Sequence, residues 1–223
     1  MILTLVITKD YIEPENMRML QEQNITQDIY IVSAVPVDAV DNIVVDVDQS
    51  LPLGVRMGIS INKALGCFDL NRYSHILKID GDVSLCPGVI QRLLSLDEPI
   101  CGTGNCLLVK VPFFIEVHKE RWGECQGEDQ YMILLPFALG LIDWYQFKPI
   151  EGINYPYVPH SDREMRANGE TERAFGLPFI YALHYTVLCR NINYLLGWLS
   201  SSYKKAWFAD LLRRRVIVKY VLG

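Results

Sequence analysis

The first apolar block, residues 2–8 (ILTLVIT), is continuous and rich in β-branched side chains. That is the pattern of a strand covered on both faces, and hence of a parallel sheet. Pro14 sits where a first helical turn tolerates it, and Met17 and Leu20 trace one helical face before residues 28–33 (DIYIVS) read as a second strand. Residues 41–47 (DNIVVDV) predict a third strand, 53–65 a helix with Val55, Ile59 and Ala64 near one face, and 75–79 (HILKI) a fourth strand. Pro87 opens a helix over 87–96; residues 100–111 are strand-like but broken by Gly102 and Gly104, and 113–117 reads as helix or loop. Past residue 112 the periodicity is poorer, with a strand-like 155–158 and a polar, mobile-looking 161–173. Strands alternating with helices predict an α/β fold, a three-layer α/β/α sandwich around a mostly parallel sheet. Such sheets bind ligands outside the carboxyl ends of their strands.

Half of the 223 residues are hydrophobic and 21% are charged, which excludes a disordered chain. The length predicts one domain with one core. The formal charge of −5 excludes a globally basic nucleic-acid coat protein, and no nucleic-acid partner is expected. The charge is segregated. Residues 201–223 carry six Lys/Arg and one acid, Asp210, leaving 15 Lys+Arg against 25 Asp+Glu in residues 1–200. Tyr203, Trp207, Phe208, Leu211 and Leu212 fall on one broad helical face next to the basic cluster. This basic amphipathic tail either packs on the body of the protein or lies on an anionic membrane surface.

The amino terminus has no basic region before its apolar run, so it does not read as a secretory signal. Apolar stretches at 131–145 and 175–189 fall short of the roughly 20 residues a membrane-spanning helix needs. The expected location is the cytoplasm, with peripheral membrane contact through the tail as the further option. Six cysteines without a Cys-x-x-Cys pair predict reduced, mostly buried thiols and no zinc site.

The sharpest chemical signal is Lys78-Ile79-Asp80-Gly81-Asp82, an apolar strand ending in two aspartates. Residues i and i+2 of an extended chain share a side, so both carboxylates can converge at the mouth of the sheet and suit Mg²⁺ or Mn²⁺. An Asp-Gly turn closing the strand explains the same residues. A second signal is Gly127-Glu128-Asp129, ahead of the apolar run at Tyr131. Asp129 there is either a helix-start carboxylate or a general base.

In this order on this scaffold, the two signals resemble the GT-A fold glycosyltransferases, specifically those similar to glycosyltransferase family 2. The resemblance covers about residues 2 to 160. It is strongest at 76–82 and along Gly102-x-Gly104-x-x-Leu107-x-Val109-x-Val111-x-x-Phe114, followed by Gly127-Glu128-Asp129. It implies a catalytic domain over residues 1–200 that moves a sugar from a nucleoside diphosphate sugar to an acceptor hydroxyl on a glycan, lipid or protein, with inversion. It also implies a DXD motif in which Asp80 lies near donor and metal and Asp82 on the metal, and a Glu128-Asp129 motif with Asp129 as base. Arg56, in a partial Arg-Asn-x-Gly match, is either a nucleotide-side residue or a solvated helix-face Arg, and Thr8, at the end of the first strand, either a nucleotide contact or a strand-capping hydroxyl. Where the family often has an Asp after the second strand, this chain has Ile31-Val32-Ser33-Ala34, which puts Ser33 at the nucleotide and leaves the base unspecified.

Among four histidines, His184 in an apolar run reads as structural, and His160, in a late position where the family often places a metal or diphosphate contact, is the candidate ligand. Arg163, Arg166 and Arg173 either clamp a diphosphate or pair with Asp162, Glu164, Glu170 and Glu172. Two other functions fit an α/β chain of this kind. One is a sugar-phosphate nucleotidyltransferase, whose glycine-rich basic loop is not offered by Lys9-Asp10-Tyr11-Ile12. The other is a noncatalytic or membrane-recruited binding module.

Overall fold

A computed structural model describes residues 1–37, 41–144, 147, 150–156 and 161–222, the side chains of 220–222 aside. Contacts divide the chain into two compact units. One is Met1–Glu124 with Phe147–Tyr157, and the other is Cys125–Gln146 with Val158–Gly223, which includes the basic tail.

The first unit is built on β1 (Ile2–Ile7), α1 (Pro14–Gln21), β2 (Gln27–Ser33), β3 (Asn42–Val44), α2 (Leu53–Leu65) and β4 (His75–Asp80). It continues through β5 (Ser84–Leu85), α3 (Val89–Ser95), β6 (Ile100–Thr103), β7 (Cys106–Lys110), α4 (Val111–His118) and β8 (Ile153–Asn154). Six strands form one sheet in the order β3-β2-β1-β4-β7-β6, and β5 pairs with β8 apart from it. The pairs among β3, β2, β1 and β4 are parallel, while β7 runs antiparallel to β4 and β6. This is the mostly parallel α/β sheet the alternation predicts.

Every residue of β1 is buried, as a strand covered on both faces must be. Ile2, Val6, Ile31, Leu77, Ile79 and Leu108 meet Leu20 of α1 and Val89, Ile90 and Leu93 of α3. The alternate residues, Leu3, Leu5, Ile76 and Lys78, point to the other face. The buried Thr4 hydroxyl donates to Gln27 Oε1 at 2.7 Å, so its burial leaves no orphan donor.

The second unit is helical: α5 (Glu128–Ala138), α6 (Asp162–Phe175), α7 (Phe179–Cys189), α8 (Ile192–Ser200) and α9 (Ala209–Leu222). Helices α6 and α8 meet backbone to backbone. A Cβ on Gly169 would stand 2.0 Å from the Tyr194 carbonyl oxygen, and one on Gly197 would stand 1.9 Å from that of Arg166. Only hydrogen fits at either crossing point. Phe208, Leu212 and Val216 are wholly buried, with the Phe208 ring 6.1 Å from Phe175 and 5.6 Å from Tyr131.

Several expectations change. The third strand stops at Val44, because the chain from Val45 leaves the sheet and lines a cleft with Val45 and Val47. The stretch 161–173 is not mobile-looking coil but α6, started by a capping box. The Ser161 hydroxyl accepts the Glu164 N–H at 3.3 Å, and Glu164 Oε2 accepts the Ser161 N–H at 2.7 Å. The Ser-x-x-Glu spacing was there to be read. The thiols are not mostly buried: Cys101 and Cys106 are, whereas Cys67, Cys86 and Cys189 are exposed. His184 is exposed rather than a core histidine, since α7 turns that side outward. The broad face expected of the tail is split, because the helix starts only at Ala209 and Phe208 and Leu212 go inside while Tyr203, Trp207 and Leu211 stay exposed.

Candidate functional site

The sheet order reverses beside β1: β2 and β3 lie on one side, β4 and the β6–β7 hairpin on the other. Connections leave such a point in opposite directions and open a crevice at the carboxyl ends of the strands. A cleft of about 510 Å³ lies there, in the first unit. Its walls are Ile7, Thr8 and Lys9 after β1, Val32 and Ala34 around the end of β2, Gln49, Arg56 and Met57 at α2, and Asp80, Gly81 and Asp82 after β4.

Both aspartates reach the cleft, but not by the alternation of an extended strand. The Val83 N–H donates to the Asp80 carbonyl at 3.0 Å, closing a turn over Gly81 and Asp82. The turn is strapped to β1: the Gly81 N–H donates to the Ile7 carbonyl at 2.8 Å. A Cβ on Gly81 would lie 3.0 Å from Thr8 Cβ, so a side chain there would push Thr8 aside. The Asp-Gly turn and the two-carboxylate site are thus the same piece of chain. Asp80 is partly covered and Asp82 is exposed to the cleft.

The i, i+2 relation is realised one step earlier, by Lys78 and Asp80. Lys78 is 1% exposed, and its Nζ lies 2.7 Å from Asp80 Oδ1 and donates to the Gly104 carbonyl at 2.8 Å. Gly104 belongs to the β6–β7 turn, and that hairpin admits only glycine at 102, where φ is +123° and a Cβ would meet the Cys106 carbonyl oxygen at 2.1 Å. Lys78 therefore ties the hairpin to the first aspartate of the motif. Cys106 is the first residue of β7, opposite Ile79, its thiol pushed up to about 12 by burial, and so stays protonated. The chemical interest of Lys78 escapes a reading that sees only the apolar strand, although its period-two relation to Asp80 was visible.

Thr8 lines the cleft with its hydroxyl donating locally to the Tyr11 carbonyl. Arg56 Nη1 donates to Gln49 Oε1 at 2.5 Å, while its Nε is buried without a partner among the described residues. Ser33 does not line the cleft. It is buried, its hydroxyl donates to the Val35 carbonyl at 2.6 Å and accepts from Asn42 Nδ2 at 3.1 Å, and its neighbours Val32 and Ala34 face the cleft in its place.

In the second unit, Gly127 in the left-handed conformation (φ 76°) starts α5, with Glu128 and Asp129 in its first turn. Carboxylates there meet the positive end of the helix dipole. Glu128 is buried and Asp129 half-buried, with Asp129 Oδ1 accepting the Gln130 N–H at 2.7 Å. Gln130 Nε2 in turn reaches Glu172 Oε1 at 3.5 Å. Burial pushes the Glu172 carboxyl up to about 8, so it is largely protonated at neutral pH. Helical spacing with Met165 and Gly169 marks Glu172 as inward-facing. Arg166 pairs with Glu170 at 3.7 Å, and Arg173 donates to the Trp198 and Leu199 carbonyls at 3.0 and 2.5 Å, so both serve the helical packing. His160 lies outside the described residues. Among the described residues no three His, Cys, Asp or Glu side chains gather as a metal cluster.

No protein-family model and no curated protein matches this sequence. Solved structures of S. aureus TarS do superpose on it. One covers 100% of this chain and 44% of its own, with a TM-score of 0.52 at 10% identity. Another, TarS 1-349, covers 99% and 73%, with a TM-score of 0.50 at 10% identity. The chain thus spans less than half the length of the longer TarS structure. These neighbours are glycosyltransferases of the GT-A type. At such identity the likeness speaks for the fold. The fold is of the GT-A type. The Asp80-Gly81-Asp82 turn lines the cleft at the carboxyl ends of β1 and β4 of this sheet.

Proposed function

We propose that this chain is a metal-dependent, inverting glycosyltransferase that moves a sugar from a nucleoside diphosphate sugar to an acceptor hydroxyl. The observation that carries this reading is the convergence of Asp80, Asp82 and Arg56 on one cleft at the order reversal of a GT-A-type sheet. Fold alone does not assign a reaction, so the weight rests on these side chains.

Two carboxylates are the number a Mg²⁺ or Mn²⁺ commonly takes from protein, and the exposed Asp82 beside the partly covered Asp80 fits that donor set. When bound, such an ion supplies Lewis-acid stabilisation of the charge developing on the departing diphosphate. His160 is a further expected ligand. Lys78 holds one oxygen of Asp80, leaving the carboxylate a fixed direction toward the cleft. Arg56 offers a guanidinium to phosphate oxygens, and Thr8 and the turn backbone wall the nucleotide side. Asp129 takes the proton of the acceptor hydroxyl, whose oxygen attacks the anomeric carbon opposite the diphosphate and inverts it. Glu128, buried, precedes it in the first turn of α5.

The test is a thermal-shift series with UDP, GDP, CDP and dTDP and their sugars, with and without Mn²⁺ or Mg²⁺. Ligand at a hundredfold excess over Kd stabilises by about 2.7 kcal/mol. A metal-dependent shift with one nucleotide is expected, lost in Asp82→Ala and retained in Asp129→Asn, which should abolish turnover. No shift with any nucleotide would overturn the reading in favour of a noncatalytic module.

A further inference from the structure

Helix α7 reverses the usual habit of a surface helix. Tyr181 and Ala182 face inward, yet Ile180, Leu183, Val187 and Leu188, at i, i+3, i+7 and i+8, form an apolar stripe on the exposed side. Ile180 is 60% exposed, Val187 68% and Leu188 65%. Helix α8 repeats the arrangement with exposed Ile192, Leu196 and Leu199, at i, i+4 and i+7. Three contacts gather these segments around residues 174–179. The Phe179 ring stands edge-on to Trp198 at 5.5 Å, Trp198 Nε1 donates to the Leu177 carbonyl at 3.2 Å, and the Ala206 N–H donates to the Ala174 carbonyl at 2.8 Å. Trp207, beside Ala206, is 68% exposed. Exposed apolar side chains this numerous mark a surface that meets something other than water.

The charge pattern says what covers it. Between Glu172 and Asp210 there is no acidic residue, although the chain holds 26; the charged residues of that span are Arg173, Arg190, Lys204 and Lys205. Two copies of such a surface would repel each other through their basic rims, whereas a layer of anionic headgroups complements it. At roughly 16 Å and 13 Å, α7 and α8 are too short to cross a hydrocarbon core of about 30 Å. No helix among the described residues is long and apolar enough to do so. They can lie in the plane of the interface.

We propose that α7 and α8 form an in-plane contact with anionic bilayers, their exposed aliphatic stripes at the acyl boundary and Arg190 and Lys204 among the headgroups. The composition of the tail points to residues 201–223 alone; with Phe208, Leu212 and Val216 buried inside the unit, the apolar part of the contact moves to 179–199. The proposal stands apart from the transferase reading.

Sedimentation of the full chain with vesicles of phosphatidylcholine, alone or mixed with phosphatidylglycerol, tests it. The wild type should bind the mixed vesicles, less so as salt rises. The double variant Val187→Glu/Leu188→Glu should bind at least about tenfold more weakly, with an unchanged circular dichroism spectrum because both positions are exposed. Arg190→Gln and Lys204→Gln should each lower binding to anionic vesicles about fivefold. Asp82→Ala should bind vesicles as the wild type does, which separates this outcome from failure of the donor site. A wild type that stays in the supernatant, or a double variant that binds unchanged, would overturn the proposal. So would a lipid-free dimer dissolved by the same double variant in the absence of vesicle binding, which would assign the face to a second copy.

Discussion

The first unit buries its apolar residues on both faces of a sheet and gathers its polar chemistry at one edge; the second packs helices through glycine and leaves apolar stripes outside. In the sheet, hydrogen bonding and period-two alternation settle where each side chain goes, so a charged residue inside must be paired, as Lys78 is. In the helical unit, α6 and α8 meet backbone to backbone at Gly169 and Gly197, and aliphatic residues of α7 and α8 face outward. The same hydrophobic content thus yields a closed core in one unit and a surface suited to another phase in the other.

The largest blow to this contrast should come from Lys78→Met. It strands Asp80 without its cation, and breaking a buried pair typically costs about 3–5 kcal/mol. The lower end is expected because Asp80 keeps 20% of its side-chain exposure. Urea unfolding should report the loss, and hydrogen exchange should place it in β4 and the β6–β7 hairpin. An unchanged midpoint would mean the pair contributes nothing.

Gly197→Ala comes next. Its Cβ would stand 1.9 Å from the Arg166 carbonyl oxygen, so α8 must move from α6 at a cost of about 2 kcal/mol. Exchange protection should fall across α6 and α8 while β1 and β2 keep theirs; uniform loss in both units would erase the distinction between them.

A smaller effect, about 1–2 kcal/mol on each side of neutrality, should appear with pH. Burial holds the His118 imidazole of the first unit down at about 4, below its unfolded value. Between about pH 6.5 and 4 the unfolded chain binds the extra proton, so the first unit weakens as pH falls. Glu172 of the second unit is raised to about 8, so between about pH 4.5 and 8 the folded state binds the extra proton and stability falls as pH rises. Between about pH 4.5 and 6.5 the two slopes oppose each other, so Glu172→Gln should remove the fall between about pH 6.5 and 8 and unmask a rise of Tm with pH below 6.5, whereas His118→Gln should extend the fall down to about pH 4.5. The smallest effect should be that of Arg18→Ala, whose pairs with Glu15 and Glu22 are exposed, with Tm unmoved beyond error.

Much of the first unit was legible residue by residue. The span of α2 is the predicted 53–65, and β1, β2 and β4 lie within a residue of their predicted ends. Asp80 and Asp82 were legible as a pair, although a turn and not an extended strand brings Asp82 to the cleft. Ser33 misled because the strand's alternation turns it inward and presents Val32 and Ala34. In the second unit the capping box of α6 was there to be read, but the outward stripe of α7 was not, since an apolar helix looks the same whether its neighbours cover it or not.

By itself, then, the sequence determined the order of strands and helices up to about residue 112, the end-of-strand aspartates and the basic, acid-free stretch from 173 to 209, because each depends on residues close together in the chain. Only the tertiary structure decided that Lys78 is tied to Gly104, that Gly169 and Gly197 are crossing points, and that α7 and α8 keep their aliphatic faces outside. Those outcomes depend on which surfaces meet across tens of residues, and local periodicity carries no record of the partner.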